Sequence, residues 1–93
     1  MSRKEILEAA MKCVCGGRDE DYGTPEDNFG LIAKLWSVWL EKELTALDVA
    51  VMMFMQKQSR IKNGPFKADS FVDLAGYAAC AGEIATLIAE HGT

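Results

Sequence analysis

Five side chains at helical spacing stand on either side of one short connection and could bind phosphate and a metal ion. Asp69 and Asp73 are four residues apart and Tyr77 lies one turn further, so a helix places all three on one face. Lys57 and Arg60 are three residues apart and share a face of the preceding helix. Two carboxylates so placed can hold Mg²⁺, and the cations can bind phosphate oxygens. The candidates for phosphate binding are Lys57, Arg60 and Lys62, and those for the metal are Asp69 and Asp73.

The same residues also have a purely structural interpretation. Ser70 and Asp73 have the spacing of a capping-box variant, and Asp69 is a favourable acid for the first turn of a helix. Lys57 and Arg60 are ordinary cations near a helix C-terminus. Either of them could pair with Asp69 or Asp73 and so fix the corner between two helices. The residue types and their spacing leave both interpretations open.

These side chains are positioned by a predicted central helix, Thr45 to Lys62. Its first residue is a good N-cap, and Asp48 three residues later completes a box-like start. Residues Val49 to Met55 are all apolar, so we expect this helix to be covered on all sides. The dipeptide Asn63-Gly64 predicts a left-handed exit from the helix, and Pro65 prevents its continuation.

Three further helices are predicted around the central one, and no strand-like alternation is present. The chain is therefore predicted to be all-α, a single domain over residues 1–93 and a bundle of four to five helices. The first helix begins with a Ser2–Glu5 capping box and ends at Gly16-Gly17, the second runs from Thr24-Pro25 to about Lys42, and the last runs from near Asp69-Ser70 to Glu90 or His91. The predicted apolar stripes are Ile6, Leu7, Ala10, Met11 and Val14 in the first helix, and Phe29, Ile32, Ala33, Leu35, Trp36, Trp39 and Leu40 in the second.

Composition and charge exclude several classes of protein. An apolar content of 49% and a charged content of 26% predict a folded chain. The formal net charge of −4 argues against general nucleic-acid binding. Three cysteines, an odd count, and no signal peptide predict the reducing cytoplasm. The apolar run from Leu74 to Ala89 is interrupted by Glu83, so no membrane span is expected.

The last helix is rich in small residues, which predicts self-association. The pairs Ala75-Gly76, Ala78-Ala79 and Ala81-Gly82 let another helix backbone approach closely. The last and central helices are together apolar over more surface than one four-helix layer covers. We expect a homodimer with the last or the central helix in the interface, and the alternative is a well-covered monomer core.

Five short motifs follow one another between Arg18 and Glu83. They are Asp21-Tyr22-Gly23, the run from Asn28 to Trp36, the run from Asp48 to Met53, Lys57 with Arg60, and the run from Asp69 to Tyr77. In this order they resemble small phage and prophage proteins of the MazG-like, all-α nucleotide pyrophosphohydrolase kind. The similarity is greatest to the nucleotide-modification-associated domain family and its phage relatives, and it is distant to the catalytic MazG enzymes.

This resemblance implies a helical oligomer that cleaves nucleoside triphosphates to monophosphate and pyrophosphate with Mg²⁺ held by an E-x-x-E and an E-x-x-D pair. Asp73 takes the place of the final Asp, whereas Ser70 stands where the second pair has Glu, with Asp69 as its stand-in. The central helix has no counterpart of the first pair, so Glu26 or Asp27 of a partner chain would have to complete the metal cage. The candidates for contact with the nucleotide are Tyr22 and Tyr77.

Three functions remain in competition at the level of sequence. The first is a Mg²⁺-dependent pyrophosphohydrolase, and the second is a nucleotide-binding or partner-binding module without turnover. The third is a structural helical dimer. The shortage of acids in the metal cage favours binding over catalysis. In every case the expected location is the cytoplasm of a bacterium or of an infected host.

Overall fold

A computed structural model of the chain describes residues 1–16 and 23–92, and within these ranges it is all-α with no strand. The helices are α1 (Arg3–Cys15), α2 (Pro25–Leu40), α3 (Ala46–Asn63) and α4 (Ala68–His91). The predicted all-α class is confirmed, and each predicted helix is present with ends that differ by about two residues or fewer. A fifth helix and the likeness of the bundle to MazG stay predictions.

Three helices begin with the caps that the sequence predicts. In α1, Ser2 Oγ accepts a hydrogen bond from the Glu5 N–H and Glu5 Oε1 accepts one from the Ser2 N–H, at 3.1 and 3.0 Å. Hydrogen bonds to the Glu5 carboxylate from the backbone N–H of Ser2 and from its side chain stabilise the charged form and lower the pKa of Glu5 below its usual value. Thr45 and Asp48 form the same reciprocal box at the start of α3. At the start of α2, Thr24 Oγ1 accepts from the backbone N–H three residues later.

The fourth helix begins differently from the sequence interpretation. Its N-cap is Lys67, which makes no side-chain capping bond, and the helix already includes Ala68. Ser70 therefore lies inside the first turn, and the capping box suggested for Ser70 and Asp73 is wrong. Asp69 does lie in the first turn, where the helix dipole favours an acid.

The core lies where α3 packs between α2 and α4. Its buried residues come from all three helices, and α1 packs against α4, with Val14 in contact with the core. Gly76 explains how closely α1 approaches α4, because a Cβ at this position would lie only 3.2 Å from Val14 Cγ1. The buried residues of this core are Phe29, Ala33, Val49, Ala50, Cys80 and Ile84.

Several apolar residues that were predicted to be buried are exposed in the single chain. In α2, Leu35 and Trp39 are more than half exposed, because α3 and α4 cover the sector of Phe29, Ala33 and Trp36 and leave the other side open. Leu40 is in line with the covered sector, but it is the last residue of the helix and is also about half exposed. The predicted burial of those three residues is therefore wrong for the single chain. The same correction applies to Leu7 and Met11 in α1 and to Val51, Met52 and Met55 in α3, so α3 is not covered on all sides.

Two connections have backbone conformations that the sequence analysis did not anticipate. Gly64 is extended, with φ −102° and ψ 174°, so the predicted left-handed exit at Asn63-Gly64 is wrong. The following Pro65 disfavours helical conformations at the residue before it, and this favours the extended one. Left-handed residues instead follow α2 and α4, at Glu41 with φ 53° and at Gly92 with φ 69°. Ser37 supports the turn after α2, because its Oγ accepts from the Leu44 N–H at 2.8 Å.

Helix α4 is apolar enough to deserve a comparison with membrane spans. Its most apolar window has a mean hydropathy of 1.4, so by length and composition alone α4 could cross a membrane, contrary to the expectation from the interruption at Glu83. Core helices of water-soluble proteins pass the same test, and α4 packs against both α1 and α3. The fold therefore gives no firm sign of a membrane protein.

Candidate functional site

The predicted corner between the third and fourth helices contains one close ion pair. Lys57 Nζ lies 2.9 Å from Asp73 Oδ2, with the lysine side chain 11% exposed and that of the aspartate 30% exposed. The pair joins the C-terminal half of α3 to the second turn of α4 and is one of the contacts between the two helices that the structural interpretation of these residues predicts. Since its positive charge is matched by Asp73, Lys57 is engaged within the fold.

The other members of the predicted phosphate and metal site do not join this pair. Arg60, Lys62 and Asp69 are exposed, and none of them makes an ion pair within residues 1–16 and 23–92. Glu26 and Asp27 are exposed at the start of α2. In the part of the chain that the structure describes, no three His, Cys, Asp or Glu side chains lie close enough to hold a metal ion.

Asp73 and Tyr77 line a cavity of about 310 Å³ that lies between the helices. Its wall is mostly apolar, with the carboxylate of Asp73, the amide of Asn28 and the phenol of Tyr77 as its polar side chains besides two thiols. No lysine or arginine is among the described residues that line it. The lining residues are Cys13 and Val14 from α1; Gly23, which precedes α2; Pro25, Asn28, Phe29 and Ile32 from the first half of α2; Met53 from α3; and Val72, Asp73, Gly76, Tyr77 and Cys80 from α4.

An aromatic pair forms one side of this cavity. The rings of Phe29 and Tyr77 have centroids 6.1 Å apart and planes inclined by 36°, within the range of favourable aromatic contacts. Phe29 is buried, whereas Tyr77 is half-buried and carries the polar hydroxyl. A flat, polarisable ring is the ligand shape that such a wall favours, and the nearby amide and carboxylate can hydrogen-bond its edge.

The structure thus brings together part of the predicted site and adds residues to it. It joins Lys57 to Asp73 and places Asp73 and Tyr77 on one cavity, whereas Tyr22 lies outside the described residues. Sequence analysis missed Asn28. Its signal was a polar side chain four residues before Ile32, in register with the apolar stripe of α2.

Comparison with known proteins identifies relatives of phage origin. The family described as a domain of unknown function (DUF6378) matches residues 5–85. The Gene 55 protein of Mycobacterium phage D29 is 46% identical over 77 residues, covering 83% of this chain and 51% of the relative. The Gene 55 protein of Mycobacterium phage L5 is 40% identical over 74 residues, covering 78% and 47%. The chain therefore spans about half the length of these relatives, and no solved structure matches it significantly.

Proposed function

Because the chain belongs to the DUF6378 family and is similar to phage proteins, we propose that it is a phage-type protein whose cavity binds the base or nucleoside part of a nucleotide-related ligand. The observation that carries this proposal is the cavity itself. It combines an aromatic wall with a carboxylate and an amide, and its volume of about 310 Å³ is at the small end of typical ligand pockets.

The polar groups of the cavity suit a heteroaromatic ring better than a phosphate chain. A nucleobase offers flat faces to Tyr77, and its edge carries donors and acceptors that Asp73 and Asn28 can meet. Lys57 is held by Asp73, so it adds little positive charge with which to attract phosphate. In this proposal the phosphates of a nucleotide would extend away from the cavity towards solvent.

The catalytic form of the proposal is Mg²⁺-dependent cleavage of a nucleoside triphosphate, as the MazG resemblance implies. Asp73 and Asp69 would then hold Mg²⁺, with Glu26 or Asp27 of a second chain completing the set of carboxylates. A bound Mg²⁺ would stabilise charge on the phosphates and activate water. Binding and cleavage share the same cavity and differ in whether pyrophosphate is released.

The test is thermal unfolding with a panel of nucleobases, nucleosides and nucleotides, each with and without Mg²⁺. A ligand at 100 times its Kd adds about 2.7 kcal/mol to the free energy of unfolding, which raises Tm by roughly 10 °C or more. We expect Asn28→Ala to reduce this rise, since the amide lines the cavity, and Asn63→Ala at the exposed end of α3 to leave it unchanged.

Each outcome of this experiment decides the proposal. No rise in Tm with any member of the panel would overturn it, and a rise that Asn28→Ala leaves intact would place the ligand elsewhere. Release of pyrophosphate in the presence of Mg²⁺ would establish the catalytic form. A rise in Tm without release would support binding alone.

A second candidate function is self-association as a helical dimer, and a specific observation favours it. Four large apolar side chains of α2, which we call the α2 outer face, are exposed by 59 to 86%: Leu31, Leu35, Val38 and Trp39. Together they present on the order of 500 Å² of apolar surface, at the upper end of what a typical monomer shows. We propose that a second copy covers this face, so the interface is on α2 and not on the last or the central helix.

A further inference from the structure

A second surface lies where the chain passes from α3 to α4. It combines exposed aromatic and basic side chains that take no part in the cavity of the proposed function. Phe66 is 81% exposed and Phe71 is 39% exposed, and their ring centroids are 6.3 Å apart with an interplanar angle of 38°. The two rings border a hollow of about 170 Å³ that Pro65, Lys67 and Ser70 also line. No described residue lines both this hollow and the cavity of the proposed function.

The same surface concentrates positive charge on an otherwise acidic protein. Residues 57–67 contain four cations and no acid, although the chain as a whole carries −4. Lys57 is engaged by Asp73, but Arg60, Lys62 and Lys67 are exposed and make no ion pair with any residue that the structure describes. Asp69 is the acid that follows next in the chain, so the corner keeps a net positive charge.

We propose that this surface, which we call the α3–α4 corner (Arg60, Lys62, Phe66, Lys67 and Phe71), binds a short stretch of single-stranded nucleic acid. Bases stack on exposed aromatic rings without regard to sequence, and cations beside the rings meet the phosphates. A duplex conceals the flat faces of its bases, so it cannot use Phe66 in this way. The overall charge of −4 disfavours long polyanions and confines contact to this corner.

An anionic membrane is the competing partner for cations beside an apolar side chain. A helix that binds a membrane surface has a long apolar face next to basic residues. The α3–α4 corner instead has two aromatic rings and a small hollow. The close pairing of Phe66 and Phe71 therefore fits stacked bases better than lipid. This proposal is independent of the cavity, so either can fail while the other stands.

The experiment is fluorescence anisotropy of a labelled oligothymidylate of about 12 nucleotides, titrated with the full chain. Three phosphate contacts predict that affinity falls roughly twentyfold when salt rises fourfold. We expect Phe66→Ala to weaken binding about tenfold and Phe66→Trp to retain it, because tryptophan restores a stacking surface. Lys62→Glu and Lys67→Glu should each weaken binding and flatten its salt dependence.

Two matched controls lie outside both the corner and the α2 outer face. Leu7→Ala removes an exposed apolar side chain of α1, and Lys42→Glu reverses an exposed cation in the connection before α3. Both should bind the oligonucleotide like the wild type. The proposal is overturned if the chain does not bind, if Phe66→Ala binds as tightly as the wild type, or if a duplex of equal length competes equally well. It is also overturned if the chain binds phosphatidylserine vesicles but not the oligonucleotide.

Discussion

At the scale of single residues, the ion pair of Lys57 and Asp73 links α3 to α4 beside the cavity. The Lys57 side chain is only 11% exposed and has lost most of its hydration, and this loss is offset by a carboxylate at 2.9 Å. Such a pair contributes little net stability compared with two apolar residues, but it is costly to break. It also orients Asp73 on the wall of the cavity.

We predict that Asp73→Asn destabilises the protein by about 2–3 kcal/mol, because Lys57 is left buried without its countercharge. The cost is lower than for a fully buried pair, since the Asp73 side chain is partly exposed. Denaturant unfolding measures the change. The matched control is Asp69→Asn, which removes an exposed acid of the same helix and should change stability by less than about 0.5 kcal/mol. Equal effects of the two substitutions would contradict the role of the pair.

The sequence could predict a contact between the C-terminal half of α3 and the start of α4, because spacing and a short connection determine that much, but of the two predicted cations and two predicted carboxylates only Lys57 and Asp73 meet. It could not distinguish the pair of Lys57 and Asp73 from the other combinations. The choice depends on how α3 and α4 are rotated about their axes, and that rotation follows from burial of Val49, Ala50 and Ile84 in the core. The cavity could not be predicted from the sequence for the same reason, since residues of four helices form its wall.

At the scale of elements, the helix starts are determined by local chemistry. The side chain of Thr45 caps the N–H of Asp48 at 3.2 Å, and the carboxylate of Asp48 caps the N–H of Thr45 at 2.9 Å. Capping partners three residues apart do not depend on the rest of the fold, so these caps could be predicted from the sequence. Which helix faces are exposed could not be predicted, because exposure depends on neighbours that are distant in the chain.

We predict that Thr45→Ala costs about 1 kcal/mol of stability, since it leaves helical N–H groups of α3 without the cap. Thermal unfolding should show a decrease in Tm of roughly 4–8 °C. Thr86→Ala is the matched control: its hydroxyl donates to the Gly82 carbonyl within α4 and caps nothing, so its removal should change Tm little. A larger effect at Thr86 than at Thr45 would contradict this account of how α3 begins.

At the scale of the whole molecule, the apolar surface exceeds what the single chain buries. The apolar run of α3 predicts a helix covered on all sides, but α2 and α4 leave Val51, Met52 and Met55 partly exposed. The excess is greatest on the α2 outer face. A standard protein interface buries about 800 Å² on each partner, so this face supplies more than half of one.

The α2 outer face also has charges that suit pairing around a two-fold axis. Lys34 and Glu41 are seven residues, or two helical turns, apart. Two antiparallel copies of α2 that cross between Ser37 and Val38 bring Lys34 of one copy opposite Glu41 of the other, twice by symmetry. The same crossing sets Leu35 against Trp39 of the second copy.

We predict that the wild type sediments as a dimer at micromolar concentration and that Leu35→Glu makes it a monomer, because two charges would be buried at the centre of the interface. Leu7→Glu on α1 is the matched control, since Leu7 is exposed to a similar extent, and it should stay dimeric. Lys34→Glu should weaken the dimer, and adding Glu41→Lys should restore it, because the reversed pair has the same attraction. A wild type that stays monomeric, or a dimer that Leu35→Glu leaves unchanged, would show that this face is not the interface.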